Sequence, residues 1–112
     1  MPLFEKARVE VYIPDSPRPA YRRLLKSLER EFTHAFGGCI ILRGVNGSYL
    51  SRKGSLVRDR INLIYTDTPL SVREDFERFS RYGERLHLAA QNSLEEEAVL
   101  VVMFGVYHAV GS

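Results

Sequence analysis

The closing segment "AVLVVMFGVYHAV", Ala98 to Val110, restricts the possible folds more than any other stretch of the chain. Its β-branched and aromatic residues read as a strand, and it is shorter than the roughly 18 apolar residues that a membrane span needs. Both parities are apolar. One carries Leu100, Val102, Phe104 and Val106; the other carries Val99, Val101, Met103 and Tyr107. A strand of this kind needs cover on both faces. At 112 residues the chain makes one domain, residues 1–112, with one core.

The remaining elements follow from periodicity. "ARVEVYI" alternates, with Ala7, Val9, Val11 and Ile13 on one side and Arg8, Glu10 and Tyr12 on the other, as a half-buried strand does. "PDSPRP" ends it. Tyr21, Leu24, Leu25, Leu28, Phe32 and Phe36 then recur at helical spacing, which predicts a helix from about Arg18 to Phe36, capped by Asp15 or Ser16 and closed by Gly37-Gly38. A second helix is expected from Ser71, where Ser71 and Glu74 make a capping box, to "QNS". Its buried stripe would be Val72, Phe76, Phe79, Gly83, Leu86 and Ala90. The run Glu95 to Glu97 reads as a solvated turn.

Between the helices, "CIILRGV" and "INLIYTD" flank "GSYLSRKGSLVRDR" and suggest a hairpin. With Lys53-Gly54 as a two-residue loop, Tyr49 would pair with Arg58, Leu50 with Val57 and Val45 with Asn62. That register gathers Ile40, Leu42, Leu50, Val57, Ile61, Leu63 and Tyr65 on one face, taken as the core face, and leaves Asp59 on that side too. Gly44 and Gly47 mark a bulge or bend in the arm. The stretch is not a phosphate loop, because Gly54 leads into a strand rather than a helix with a Lys-Ser or Lys-Thr step.

The order strand, helix, strand, strand, helix, strand resembles the ferredoxin-like superfold, an α+β architecture with a four-stranded antiparallel sheet and two helices on one face. The resemblance rests on "ARVEVYI", the hairpin "GSYLSRKGSLVRDRINLIY" and "AVLVVMFGVYHAV". It extends to small oligomeric families of this fold: PII-like signal proteins, CutA-like trimers and dimeric α+β-barrel monooxygenases. The aromatic motifs by which RNA-recognition domains of the same fold contact RNA are absent. The resemblance implies that the first and third strands are central neighbours.

On the helix-free face the hairpin register would then set Arg43, Val45, Tyr49, Arg58, Arg60 and Asn62 beside Lys6, Arg8, Glu10 and Tyr12. The candidate ligand-binding residues are therefore Arg8, Tyr12, Arg43, Tyr49, Arg58 and Arg60. Arginine suits planar anionic partners. Three uses are open: an anionic small ligand or protein partner, a nucleic acid stacked on tyrosine, or cross-strand pairing of Glu10 with Arg58 or Arg60 and no ligand. The fourth strand bears on the choice, since an open sheet face does not expose either of its apolar parities to water. A second copy of the chain is the simplest cover. The expected function is a small homo-oligomeric binding or regulatory module. A nucleic-acid-binding module ranks second, and a small α+β-barrel enzyme using His108 or Arg60 ranks third.

No catalytic set is assignable. His34, His87 and His108 have no metal-ligand spacing, so neither a metal nor a cofactor is expected. The single cysteine, Cys39, reads as core and gives no internal disulfide, which makes a cytosolic setting the default. Charged residues in Met1 to Ile13 argue against a signal peptide, and no membrane is expected as a partner.

Overall fold

The computed structural model describes residues 3–94 and 99–109. Its elements are β1 (Leu3–Pro14), α1 (Pro19–Phe36), β2 (Ile40–Leu50), β3 (Leu56–Thr68), α2 (Phe76–Leu94) and β4 (Leu100–Ala109). The sheet order is β2-β3-β1-β4, with every neighbouring pair antiparallel. This is the ferredoxin-like βαββαβ fold. The run Glu95 to Glu97 lies outside the described residues.

Both helices pack on the sheet face formed by the odd residues of β1. Ala7, Val9, Val11 and Ile13 are buried there against Tyr21, Leu24, Leu25, Leu28 and Phe32 of α1 and Phe79, Leu86 and Ala90 of α2. The α1 pattern behaves as its sequence implies. Pro19 occupies the first turn, where its missing N–H costs nothing. The cap differs from expectation: Arg18 is the N-cap residue and its side chain makes no capping bond, while Ser16 Oγ accepts the Arg18 N–H at 3.2 Å.

Helix α2 begins five residues later than the capping-box reading. Residues 71–75 form a turn in which Ser71 Oγ accepts the Glu74 N–H at 3.3 Å and Asp75 Oδ2 accepts the Ser71 N–H at 3.0 Å. The reciprocal carboxylate is thus Asp75 rather than Glu74. The later start carries Phe76 off the buried stripe, and it is 62% exposed while Phe79 is 2% exposed. Gly83 is buried where α2 crosses β4, and a Cβ there would strike the Met103 thioether. The glycine lets the helix lie close to the sheet at a local cost of about 1 kcal/mol in helix propensity.

The hairpin register departs from the two-residue loop. Tyr49 pairs with Val57, Leu50 with Leu56 and Val45 with Ile61. The loop runs from Ser51 to Ser55, held by the Ser51 N–H to the Ser55 carbonyl and the Gly54 N–H to the Ser51 carbonyl, both at 2.9 Å. A shift between Leu42 and Val45 then sets Arg43 and Gly44 opposite the single residue Asn62. Gly44 is the bulge that its sequence suggested; Gly47 is regular and pairs with Asp59.

The register reverses which face of β3 is the core. Val11 pairs with Ile64, Val9 with Thr66 and Ala7 with Thr68, so the helix side of β3 carries Ile64, Thr66 and Thr68, all buried. The threonine hydroxyls are satisfied: Thr66 donates to the Gly38 carbonyl at 2.6 Å and Thr68 accepts the Leu70 N–H at 3.2 Å. Ile40, Leu42, Val57, Ile61, Leu63 and Tyr65 do share a face, but it is the helix-free one. Leu50 leaves that set, and Asp59 is exposed on the helix-free side rather than buried in the core.

Candidate functional site

The helix-free face is more apolar and less cationic than the sequence pattern implied. In β4 the outward parity is Leu100, Val102, Phe104 and Val106, paired with Tyr12, Glu10, Arg8 and Lys6. Ile40, Leu42 and Val45 of β2 and Phe4 of β1 extend the apolar surface, and all four are exposed.

Two of the charged side chains on this face pair with each other, and a third is bonded to a tyrosine. Arg8 donates from Nε to Asp67 Oδ1 at 2.6 Å and from Nη2 to Asp67 Oδ2 at 3.0 Å. This is the two-pronged geometry that a guanidinium and a carboxylate favour. The Arg8 guanidinium also lies 4.4 Å from the centre of the Tyr65 ring. Tyr12 donates to Glu10 Oε1 at 2.8 Å, which raises the phenol's pKa, with burial adding to the shift. Cross-strand and same-strand pairing therefore occur as the ligand-free alternative required, although Glu10 bonds Tyr12 instead of Arg58 or Arg60.

The hydrogen bonds from Arg8 hold the Asp67 carboxyl below its usual range, with burial opposing them. A carboxyl whose pKa is lowered in the folded state contributes stability that is fully present above the unfolded value of about 3.9 and is lost as pH falls through the folded value. Asp67→Asn is expected to flatten the fall of the urea-unfolding midpoint below about pH 4 at fixed protein concentration. An acid limb identical to that of the parent would contradict this role for the pair.

The six sequence candidates fall into separate places. Arg8 and Tyr12 lie on the helix-free face. Tyr49 pairs with Val57 beside the hairpin loop. Arg58 pairs with Ser48 and Arg60 with Asn46, at positions that alternate with Val57, Asp59 and Ile61 and so belong to the helix side. Arg43 also turns to the helix side, because the bulge adds a residue between the outward-facing Leu42 and Val45.

There Arg43 lines a groove of about 450 Å³ together with Asp15, Arg22, Lys26 and Asn62. Asn62 anchors the wall: its Oδ1 accepts the Gly44 N–H at 2.9 Å and its Nδ2 donates to Asp15 Oδ1 at 3.4 Å. Gly44 has φ of +64°, a conformation that a side chain makes costly. Arg60 reaches Asp15 Oδ2 at 3.7 Å from the rim. Sequence reasoning missed Asp67, Arg22, Lys26 and Asp15 as neighbours of the candidates. Arg22 and Lys26 stand four apart on a helix, a visible signal, but nothing local indicates that the bulge faces them.

His108 is on the helix-free face, its ring 5.8 Å from that of Phe4, and its Nδ1 is buried without a hydrogen-bond partner. His34 is exposed, and His87 is half-buried beside Gly83 and Met103. Cys39 is half-buried at the start of β2, where burial raises its thiol pKa, Glu29 adds to the rise and a bond with Thr33 opposes it. Among the described residues no three His, Cys, Asp or Glu side chains converge as a metal site. No described helix is long and apolar enough to cross a membrane.

No protein-family model matches the chain, and no curated protein sequence does. Solved structures do share its fold. The divalent cation tolerance protein CutA1 of Thermus thermophilus superposes with a TM-score of 0.57 at 14% identity, over 97% of this chain and 88% of that one. A phage SAM lyase in complex with S-methyl-5'-thioadenosine gives a TM-score of 0.56 at 15% identity, over 94% of this chain and 90% of the other. CutA1 of Oryza sativa gives 0.53 at 18% identity, over 95% and 84%. At such identities the likeness is one of fold.

Proposed function

We propose that the protein is a small homo-oligomeric binding module that associates through the helix-free face of its sheet. The observation that carries this reading is a set of exposed apolar side chains on a face whose arginine is already paired. Phe4 is 49% exposed, Ile40 48%, Leu42 44% and Leu100 58%, while Arg8 is tied to Asp67 and Tyr12 to Glu10. Exposed apolar groups on both sides of the β1 row Lys6, Arg8, Glu10 and Tyr12 mark an interaction site. Removing it from water is favourable at about 25 cal/mol per Å², and a paired charge enters an interface at lower cost than a lone one.

A second copy of the chain is the proposed occupant. The long hairpin supports it. Leu50 and Leu56 pair near its loop, are 72% and 60% exposed, and lie on the helix side of the sheet where no described helix covers them. The radius of gyration of 15.5 Å exceeds the roughly 13 Å of a compact domain of this length. An arm of this kind has apolar surface to set against a neighbour.

The nucleic-acid reading loses its support on this face, since Arg8 is paired and Arg43, Arg58 and Arg60 belong to the other side. The fold neighbours include a divalent cation tolerance protein and a lyase, so the fold leaves the chemistry of this chain open. A cytosolic setting remains part of the proposal and rests on the lone cysteine. Native mass spectrometry at low micromolar concentration tests the assembly. The expected spectrum shows whole multiples of the 12.8 kDa chain, and a spectrum of single chains alone would overturn the proposal.

A further inference from the structure

We infer that the groove between the β2 bulge and the first half of α1 binds a small molecule through a dianionic phosphate group. This site is separate from the sheet face and does not depend on the assembly proposed above.

The groove gathers three cations against one carboxylate, Arg22, Lys26 and Arg43 against Asp15. Arg22 and Lys26 project from the same side of α1 because they are four residues apart. Like charges so placed repel. Arg43 faces them from the sheet only because of the bulge, and Asn62 pins that bulge through the Gly44 N–H.

Asp15 does little to neutralise the three. Its Oδ2 is 3.7 Å from Arg60 Nε, and its Oδ1 accepts the Asn62 amide. Arg22 uses Nη2 on the Pro17 carbonyl at 3.1 Å, which orients the guanidinium and leaves its other N–H groups. Lys26 and Arg43 have no acceptor among the described residues. Groups of one sign lining a cleft raise the local concentration of the opposite sign. Two guanidinium groups and an ammonium match the several oxygens and double charge of a phosphate better than they match a single carboxylate.

The rest of the groove suits a small organic body. Tyr21 and Leu25 line its floor as buried parts of the core, and about 450 Å³ lies within the range of small-molecule sites. The chemistry recognised is thus a phosphate monoester on a compact, partly apolar carrier.

The test is a titration of isotopically labelled protein with inorganic phosphate at pH 7.5 and constant ionic strength, followed by amide chemical shifts. Saturable shifts centred on Arg22, Lys26, Arg43 and Gly44 are expected. Arg43→Gln and Lys26→Gln, both exposed positions, should each weaken binding about tenfold. Asp15→Asn should tighten it severalfold by removing the one repulsive carboxylate. Shifts that track chloride equally, that centre elsewhere, or that persist unchanged in the Arg43→Gln/Lys26→Gln double variant would overturn the site. Equal affinity for malonate would overturn the assignment to phosphate. Parent-like spectra of the variants away from the groove serve as the control for folding.

Discussion

Phe79→Ala should cost about 3–5 kcal/mol of folding stability, whereas Phe76→Ala should leave the unfolding midpoint nearly unchanged. The two phenylalanines are three residues apart and share one stripe in the sequence pattern. Phe79 is 2% exposed among α1, α2 and the sheet, and its N–H closes the first turn of the helix on the Asp75 carbonyl at 2.9 Å. Phe76 precedes that turn's inward face and is 62% exposed. Truncating the first empties a packed volume, and truncating the second mainly exchanges one solvated surface for another. Urea titrations monitored by circular dichroism at one protein concentration measure both. A large loss from Phe76→Ala would mean that the exposed ring is covered by a partner, a result that the sheet-face association does not predict.

The second large effect concerns assembly. Leu42→Glu and Phe104→Glu, made separately, should each reduce the particle to a single chain while leaving the far-ultraviolet dichroism intact. Leu42 pairs with Leu63 across the edge of the helix-free face, and Phe104 pairs with Arg8 near its centre. A carboxylate buried at a subunit contact without a partner costs about 3–5 kcal/mol, on the order of a thousandfold in affinity. As a contrast, Leu88→Glu alters a residue of α2 that is 57% exposed and should leave the mass unaltered. Assembly that survives both sheet-face substitutions would move the interface elsewhere.

The element order, both helix positions to within a few residues and the odd-numbered core face of β1 were legible in the sequence, because each rests on a local period. Ala7, Val9, Val11 and Ile13 alternate without interruption, and the α1 stripe repeats from Tyr21 to Phe36. The faces of β3 were not legible. Ile61, Leu63 and Tyr65 make the greasier parity, and a rule that sends the greasier parity inward selects it. The fold buries Ile64, Thr66 and Thr68 instead, since strand pairing with Val11, Val9 and Ala7 decides the matter and Gly38 and Leu70 satisfy the threonines.

The candidate site suffered from the same cause. With the Ile61, Leu63 and Tyr65 parity turned inward and an unbroken ladder, Arg43, Arg58 and Arg60 would stand beside Arg8. Pairing of β3 with β1 puts Arg58 and Arg60 on the same side as Ile64 and Thr66, and the extra residue at Gly44 moves Arg43 to that side as well. Gly44 was visible as a bulge. Its consequence for Arg43 depends on counting parity through it, and the count needs the partner strand. The ion pair of Arg8 with Asp67 likewise depends on a register between distant segments, and no local signal in either strand announces it.

Light scattering across a hundredfold dilution from about 100 micromolar tests the central claim most directly, because it reads whether the apolar sheet face is covered in solution. The account predicts a mass that is a small whole multiple of 12.8 kDa at the upper end and falls, if at all, only on dilution. A mass of 12.8 kDa at every concentration would contradict it, since the chain would then hold Phe4, Ile40, Leu42 and Leu100 open to water with no partner of its own kind.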